Sequence, residues 1–372
     1  MGREDFLARH FERGPLRLER DEPGRFDGLL SVARAEEMVC ATGIRVPAFR
    51  LARDGSQVPL SGYTEDLPWS PGRFSGLAQV DRVAGEYADG ATIVLQALHL
   101  HCHPVAVYCR ALERALGWPV QANAYLTPAT AQGFAVHHDT HDVFVLQVAG
   151  EKRWRVYEPV VELPLGSQTW SGKYDAGEPC EELTLCAGDT LYIPRGWPHE
   201  AVATHADSLH LTIGLHPPTR LDALRAALDA AAREDVELRR ALGPGGELPG
   251  DLLSRLDLSP EAVATRARRR FVAGRRPILE DQLACLRAAE RLGTDDALER
   301  RPTVIAERDG AALVFEGKRV ELPERVREAV EFLHGAGRPF TASELPGGLD
   351  PAGRLVLLRR LIREGYLRPV SR

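Results

Sequence analysis

Between about residue 91 and residue 216 the chain passes through five short β-rich runs: ATIVLQALHL, VQANAYLTP, DVFVLQVAGEKRWRVYEP, EELTLCAGDTLYIP and LHLTIGLH. Gly, Pro or Asp turns separate them. Runs this short, bounded by turn residues and rich in β-branched and aromatic side chains, cover their apolar faces only by stacking sheet on sheet. The pattern therefore predicts a mainly β core, a sandwich or barrel, with α additions. The exception inside it is PVAVYCRALERALGW, whose apolar spacing predicts one helix before the main strands.

The flanks read differently. At 372 residues the chain has room for a main domain and smaller companions. Residues 1–90 mix short helical patterns with turns such as RDEPGRFDGLLS and LPWSPGRFSG, and read as an irregular lead-in packing on the barrel. After His216 the pattern turns helical. TRLDALRAALDAAARED offers Thr219 as a cap, with Leu221, Leu224 and Leu228 on one face, and SPEAVATRARRRF places Ser259 and Pro260 at cap and first-turn positions. Residues 301–372 carry two short β patterns, a helix with Val326, Ala329, Val330 and Leu333 on one face, and a second helix closed by Gly365 before a final strand. That order resembles a winged-helix module. The expected division is 1–90, 91–217, 218–300 and 301–372.

Composition narrows the classes. A hydrophobic share of 44% and a charged share of 27% are those of globular proteins, and no apolar stretch is long enough to span a bilayer. The start, MGREDFLARHFERG, has no signal-peptide core, so a cytoplasmic location is expected. Cys40, Cys102, Cys109, Cys180, Cys186 and Cys285 form no CxxC pair and read as packing residues in a reducing compartment. A formal charge of −6 gives no reason to expect nucleic acid as the main ligand, and Arg354, Arg359, Arg360 and Arg363 read as a solvated helix face.

Chemistry concentrates in GFAVHHDTHDVFVLQV. If residues 135–147 are extended, His137 and Asp139 project to one side and His138 to the other, so a His-x-Asp pair is placed to chelate one ion. Such pairs are also common on exposed strand edges, so a third ligand is required. GDTLYIPRGWPHEA offers it: Gly188 and Asp189 turn into a strand, Pro194 to Pro198 form a tight loop, and His199 opens the next strand. Two imidazoles and a carboxylate leave the opposite face of an ion open, the geometry of non-haem Fe(II) oxygenases rather than of closed structural zinc. His99, His101 and His103 in HLHCH sit at a strand end without a fourth ligand at zinc spacing and read as a surface turn. His141 is expected near the pocket entrance, while His205, His210 and His216 read as structural.

The runs NAYLTPATAQGFAVHHDTHDVFVLQVAGEKRW, GDTLYIPRGWPHEA and SLHLTIGL together resemble the JmjC-type 2-oxoglutarate oxygenases that hydroxylate ribosomal proteins. The resemblance spans nearly the whole chain. It implies a double-stranded β-helix (jelly-roll, cupin/JmjC) followed by a helical dimerisation segment, hence a homodimer, and a C-terminal winged-helix domain. It implies that His137, Asp139 and His199 hold Fe(II), that Lys152 binds the distal carboxylate of 2-oxoglutarate, that Asn123 lies near this co-substrate, and that Tyr125 is in the substrate pocket. Lys152 is expected beyond a turn at Gly150, on a strand paired with VFVLQV. The implied substrate is a ribosomal-protein side chain, histidine or arginine. At positions aligned with Val94 and Gly214 the family uses polar side chains, so peptide recognition here departs from its pattern.

Two other readings stand beside this one. The same chemistry would serve a peptide natural product or small metabolite. Alternatively, a non-catalytic cupin with a winged helix would bind nucleic acid, which the charge balance does not favour.

Overall fold

The structure, a computed structural model, describes residues 2–370 apart from 172, 247 and 249. The chain divides into two compact units: Met1–Leu116 with Val120–His216, and Gly117–Pro119 with Pro217–Arg372.

In chain order the first unit contains β1 (Leu16–Leu18), β2 (Phe49–Arg53), β3 (Ser56–Gln57), β4 (Thr64–Trp69), β5 (Gly72–Ala78), β6 (Thr92–Leu95), β7 (Val120–Thr127), β8 (Asp142–Ala149), β9 (Glu151–Val156), β10 (Glu181–Cys186), β11 (Thr190–Ile193), β12 (His199–Ala203) and β13 (Ser208–Leu215). One antiparallel sheet has the order β1-β11-β8-β13-β7-β6-β2-β3, and a second has β10-β9-β12. Strands β4 and β5 form a separate hairpin. Val143, Val145, Leu191 and Ile193 of the large sheet cluster with Trp154, Leu183 and Leu185 of the small one. The two sheets close a double-stranded β-helix, the form of β core that the resemblance implies.

The two faces of β7 explain where the cavity lies. Val120, Ala122, Ala124 and Leu126 are buried on its outer face, and the helices Leu98–His101 and His103–Leu116 pack against the strand. The alternate residues Gln121, Asn123, Tyr125 and Thr127 therefore face inward. A strand that turns its polar side chains inward and its apolar ones toward a helix builds a polar lumen. β9 alternates too, with Lys152, Trp154 and Val156 buried and Glu151 and Arg153 exposed.

Three expectations are corrected. β9 does not pair with β8; its partners are β10 and β12, with Lys152 opposite Leu185 and Ala203. Gly150 is where the chain crosses between sheets, and it needs to be glycine: its φ is 64°, and a Cβ there would lie 2.1 Å from the Asp207 carbonyl oxygen. The lead-in is not merely packed on the barrel, because β1 forms one edge of the large sheet and β2 and β3 the other. Phe6 of the helix Arg3–Arg9 meets Phe144 and Tyr192 at ring-centroid distances of 5.2 and 4.9 Å. Finally, the run ATIVLQALHL is strand only over Thr92–Leu95, and HLHCH folds as a short helix, Leu98–His101, leading into His103–Leu116.

In the second unit, helix Arg220–Glu234 begins at Thr219 with a reciprocal cap, Thr219 and Asp222 each accepting from the other's backbone N–H. Helix Pro260–Ala273 begins at Ser259, whose side chain accepts from the Ala262 N–H. A three-stranded sheet, Ala306–Asp309, Ala312–Phe315 and Lys318–Val320, accompanies helices Arg327–Gly335 and Pro351–Arg363 and the strand Leu367–Pro369. Their shared core includes Phe315, Val330, Leu333, Phe340, Leu358 and Tyr366. Of the arginines on the last helix, Arg354 donates to the Ala342 and Ser343 carbonyls, Arg359 to that of Leu292, and Arg360 pairs with Glu364. Among the described residues no helix is long and apolar enough to cross a membrane. Cys102, Cys109 and Cys285 are buried, whereas Cys40, Cys180 and Cys186 are exposed rather than packing residues.

Candidate metal centre

The segment before β8 is not the regular strand expected from its alternation. The strand begins at Asp142, and residues 135–141 are irregular, tied down at His137 and Asp139. The first tie is decisive: His137 and His199 form an isolated antiparallel bridge, His137 N–H donating to the His199 carbonyl at 3.2 Å and His199 N–H to that of His137 at 2.8 Å. Gly196 N–H donates to the Asp139 carbonyl at 3.0 Å, clamping the Pro194–Pro198 loop beside the same segment. Backbone pairing thus brings together ligands that lie far apart in sequence.

The result is a group of His137, Asp139 and His199 whose ligand atoms all lie within 4.8 Å of one another. His199 Nε2 is 3.9 Å from Asp139 Oδ2. His137 Nδ1 lies 2.8 Å from the Ala135 carbonyl oxygen and His199 Nδ1 3.0 Å from that of Trp197. A ring held through Nδ1–H by a carbonyl presents the Nε2 lone pair outward, the orienting arrangement that metal-binding histidines use. Burial, and then the neighbouring His137, press the His199 pKa downward, so the ring is a neutral ligand at physiological pH. Burial opposes ionisation of Asp139, but His199, His141, His137 and His138 outweigh it and hold the carboxyl below its usual value. Two imidazoles and a carboxylate fit a divalent first-row metal with free positions.

The triad lines a cavity of about 250 Å³, and Lys152 lines it too. Lys152 is 4% exposed, its ammonium donates to Thr127 Oγ1 at 2.9 Å, and Thr127 shares a 3.1 Å hydroxyl contact with Thr92. Burial drives the lysine pKa down to about 7. Tyr125 lines the cavity, pushed up to about 12 by burial and then by Asp139. Asn123 is not a lining residue: its side-chain oxygen accepts from the Ala97 N–H at 2.9 Å, and it hydrogen-bonds Tyr125.

The other histidines separate cleanly. His138 points away, its Nε2 at 2.9 Å from the Gln168 carbonyl oxygen and its ring edge-on to Trp170. His141 stacks on His216 at 4.8 Å and approaches Gln121, and it occupies the space where Gly214 would carry a Cβ, 2.6 Å away. His99 Nδ1 accepts from the Ala122 N–H, and His101 Nε2 lies 2.8 Å from the Gln96 carbonyl oxygen.

Two cavity residues escaped the sequence reading. His210, read as structural, lies flat against Tyr125 at 4.7 Å, and burial followed by Lys152 holds its pKa well below the ordinary value. Its signal was the polar position in SLHLTIGL opposite Tyr125. Arg50 sits in β2, within a stretch that read as irregular, and its side chain also reaches the cavity. A charge between buried Phe49 and Leu51 was the available hint.

The sequence profile of the JmjC domain matches residues 98–223. Ribosomal oxygenase 1 of Gallus gallus is 32% identical over 278 residues, which is 72% of this chain and 44% of that protein. The bifunctional lysine-specific demethylase and histidyl-hydroxylase NO66 of Drosophila persimilis is 31% identical over 262 residues, 68% of this chain and 36% of that one. The chain spans less than half the length of these relatives. Among solved structures, YcfD, a ribosomal oxygenase from Escherichia coli, aligns over 100% of this chain and 99% of its own at 20% identity, with a TM-score of 0.61. The fold and the site define a JmjC-type β-helix protein with a His-Asp-His metal centre. Within the JmjC-domain family, to which the chain belongs, its relatives are the ribosomal oxygenases.

Proposed function

We propose that this chain is an Fe(II)- and 2-oxoglutarate-dependent dioxygenase that hydroxylates a protein side chain, histidine or arginine, of a ribosomal protein. The carrying observation is one cavity with the three metal ligands and a buried lysine that has a hydroxyl but, among the described residues, no anion beside it. A lysine held this way destabilises the fold unless an anion enters. A dicarboxylate that chelates the metal and extends to the ammonium supplies one. The names of the relatives support the reading: ribosomal oxygenase, histidyl-hydroxylase, and a YcfD structure in complex with cobalt and 2-oxoglutarate.

His137, Asp139 and His199 would hold the iron, and bound iron with 2-oxoglutarate and dioxygen supplies the oxidising power to replace a C–H by a C–OH bond. The protein's part is placement. The Ala135 and Trp197 carbonyls fix the two imidazoles, Lys152 fixes the far carboxylate, and Asn123 orients Tyr125, which faces the target side chain. Trp154 and Val145 supply apolar walls that limit water around the reacting group.

A cytoplasmic homodimer goes with this reading. Leu224 and Leu228, each 48% exposed on helix Arg220–Glu234, support a dimer face in the 218–300 segment, and the sheet and helices of 301–372 support a winged helix. With purified protein, Fe(II), labelled 2-oxoglutarate and ribosomal extract, succinate should form and a ribosomal protein should gain one oxygen atom. His137→Ala should abolish both. Equal turnover by that variant overturns the assignment.

A further inference from the structure

Among the described residues, Arg50 is the cavity cation for which the proposed chemistry has no use. Its Nε is buried without a hydrogen-bond partner, and no carboxylate pairs with the guanidinium among the described residues. The carboxylates near enough to line the same cavity are engaged elsewhere. Asp139 belongs to the metal triad, while Glu200 accepts from Tyr157 at 2.9 Å and from Gln132 at 2.8 Å. What holds Arg50 in place is a ring: its guanidinium lies 4.9 Å from the centroid of Phe134. Phe134 in turn packs against Tyr125 at 5.8 Å and against the metal-ligand ring of His137 at 5.9 Å.

Strand register puts Arg50 on the substrate side. Arg50 pairs with Val94, and Val94 pairs with Tyr125, so the three share one row on the inner face. Val94 offers no polar atom, which leaves Arg50 as the polar group at the β2 end of that row, with Tyr125 and its partner His210 beyond it. A guanidinium preorganised by stacking and facing a cavity without a counter-ion attracts hydrogen-bond acceptors and anions. It raises the energy of any second cation brought beside it in a low-dielectric space.

We infer that Arg50 is a specificity-determining residue: it binds an acceptor group, a carbonyl or carboxylate, of the target segment and rejects a cationic target side chain. Resting on the hydroxylase reading above, this narrows its two candidate targets to histidine, whose ring is neutral near pH 8, and excludes arginine.

The experiment has two parts. Ribosomal proteins treated with the iron-loaded enzyme and 2-oxoglutarate are mapped by fragmentation mass spectrometry, and the added oxygen is expected on a histidine. A peptide spanning that site is then compared with its twin carrying arginine at the target position. Wild type should use the first and not the second. Arg50→Gln should raise KM for the histidine peptide about tenfold, the loss of one charged hydrogen bond, with a smaller effect on kcat. Arg50→Lys should restore part of that loss, and Arg50→Glu should admit the arginine peptide. Oxygen found on arginine, or an Arg50→Gln effect confined to KM for 2-oxoglutarate, overturns the inference while leaving the hydroxylase reading intact. Failure to form succinate or to oxygenate any protein overturns that reading, and the charge screen with it.

Discussion

The two ends of the cavity are built on opposite principles. At the triad end, ligands come from an irregular segment and the first residue of a strand, yet each is satisfied: both imidazoles are held by carbonyls, and the surrounding imidazoles keep Asp139 anionic. At the lysine end, Lys152 sits inside a regular strand, 4% exposed, with a neutral hydroxyl as its hydrogen-bond partner. One end is organised before anything binds. The other holds its charge at a cost that a bound anion relieves. Backbone regularity and electrostatic satisfaction are thus independent, and the less regular end is the better prepared.

The largest test of this contrast removes a ligand from the organised end. His199→Ala deletes one metal-binding nitrogen and leaves Asp139 without the imidazole that does most to hold its carboxyl down. Turnover is expected to fall by on the order of a thousandfold or more, with stoichiometric Co(II) binding lost from the absorption titration. Retention of a full equivalent of tightly bound metal would show that the three side chains do not act as one site.

Much of that site was legible because its signals are local. The His-x-Asp spacing, the Gly188 turn, and the loop delivering His199 to the start of a strand are read from a few neighbouring residues, as is the Thr219 cap. What was missed depends on distant parts of the chain. β9 leaves β8 for the other sheet at Gly150, a crossing where only glycine clears the Asp207 carbonyl, a constraint invisible in GEKRW itself. Convergence of His137 on His199 does not need the strand inferred for 135–141, since two hydrogen bonds achieve it. Arg50 stayed hidden because β2 is short, and its inward direction follows from pairing with β6 rather than from its own pattern.

Lys152→Met tests the frustrated end. Without the ammonium, KM for 2-oxoglutarate should rise about a hundredfold or more, the consequence of leaving a buried carboxylate unpaired. Metal stoichiometry should persist, separating the two ends. Stability should move the opposite way from function. Burial lowers the folded-state pKa of Lys152 from 10.5 to about 7, so across that interval the unfolded chain binds more protons than the folded one. The ligand-free protein should therefore gain stability from this group as pH rises from about 7 toward 10, and Lys152→Met should flatten that rise while raising Tm near pH 7. A variant that melts lower than wild type at pH 7, with the same pH slope, would mean the lysine is not strained.

Thr127→Val asks what the hydroxyl contributes, and the expected effect is the smallest. Its oxygen lies between Lys152 Nζ at 2.9 Å and Thr92 Oγ1 at 3.1 Å, and valine keeps the shape while removing the acceptor. In the ligand-free protein the ammonium would lose its hydrogen-bond partner, so Tm should fall, by the equivalent of about 1 kcal/mol for one hydrogen bond. In the complex a carboxylate takes over much of the neutralisation, so KM for 2-oxoglutarate should change by only a few-fold. The ratio of the two effects is the informative quantity. If KM instead rises as far as in Lys152→Met, Thr127 contacts the co-substrate directly and the lysine end is a two-residue site. If neither quantity moves, the ammonium finds another acceptor and the end is less rigid than its strand geometry implies.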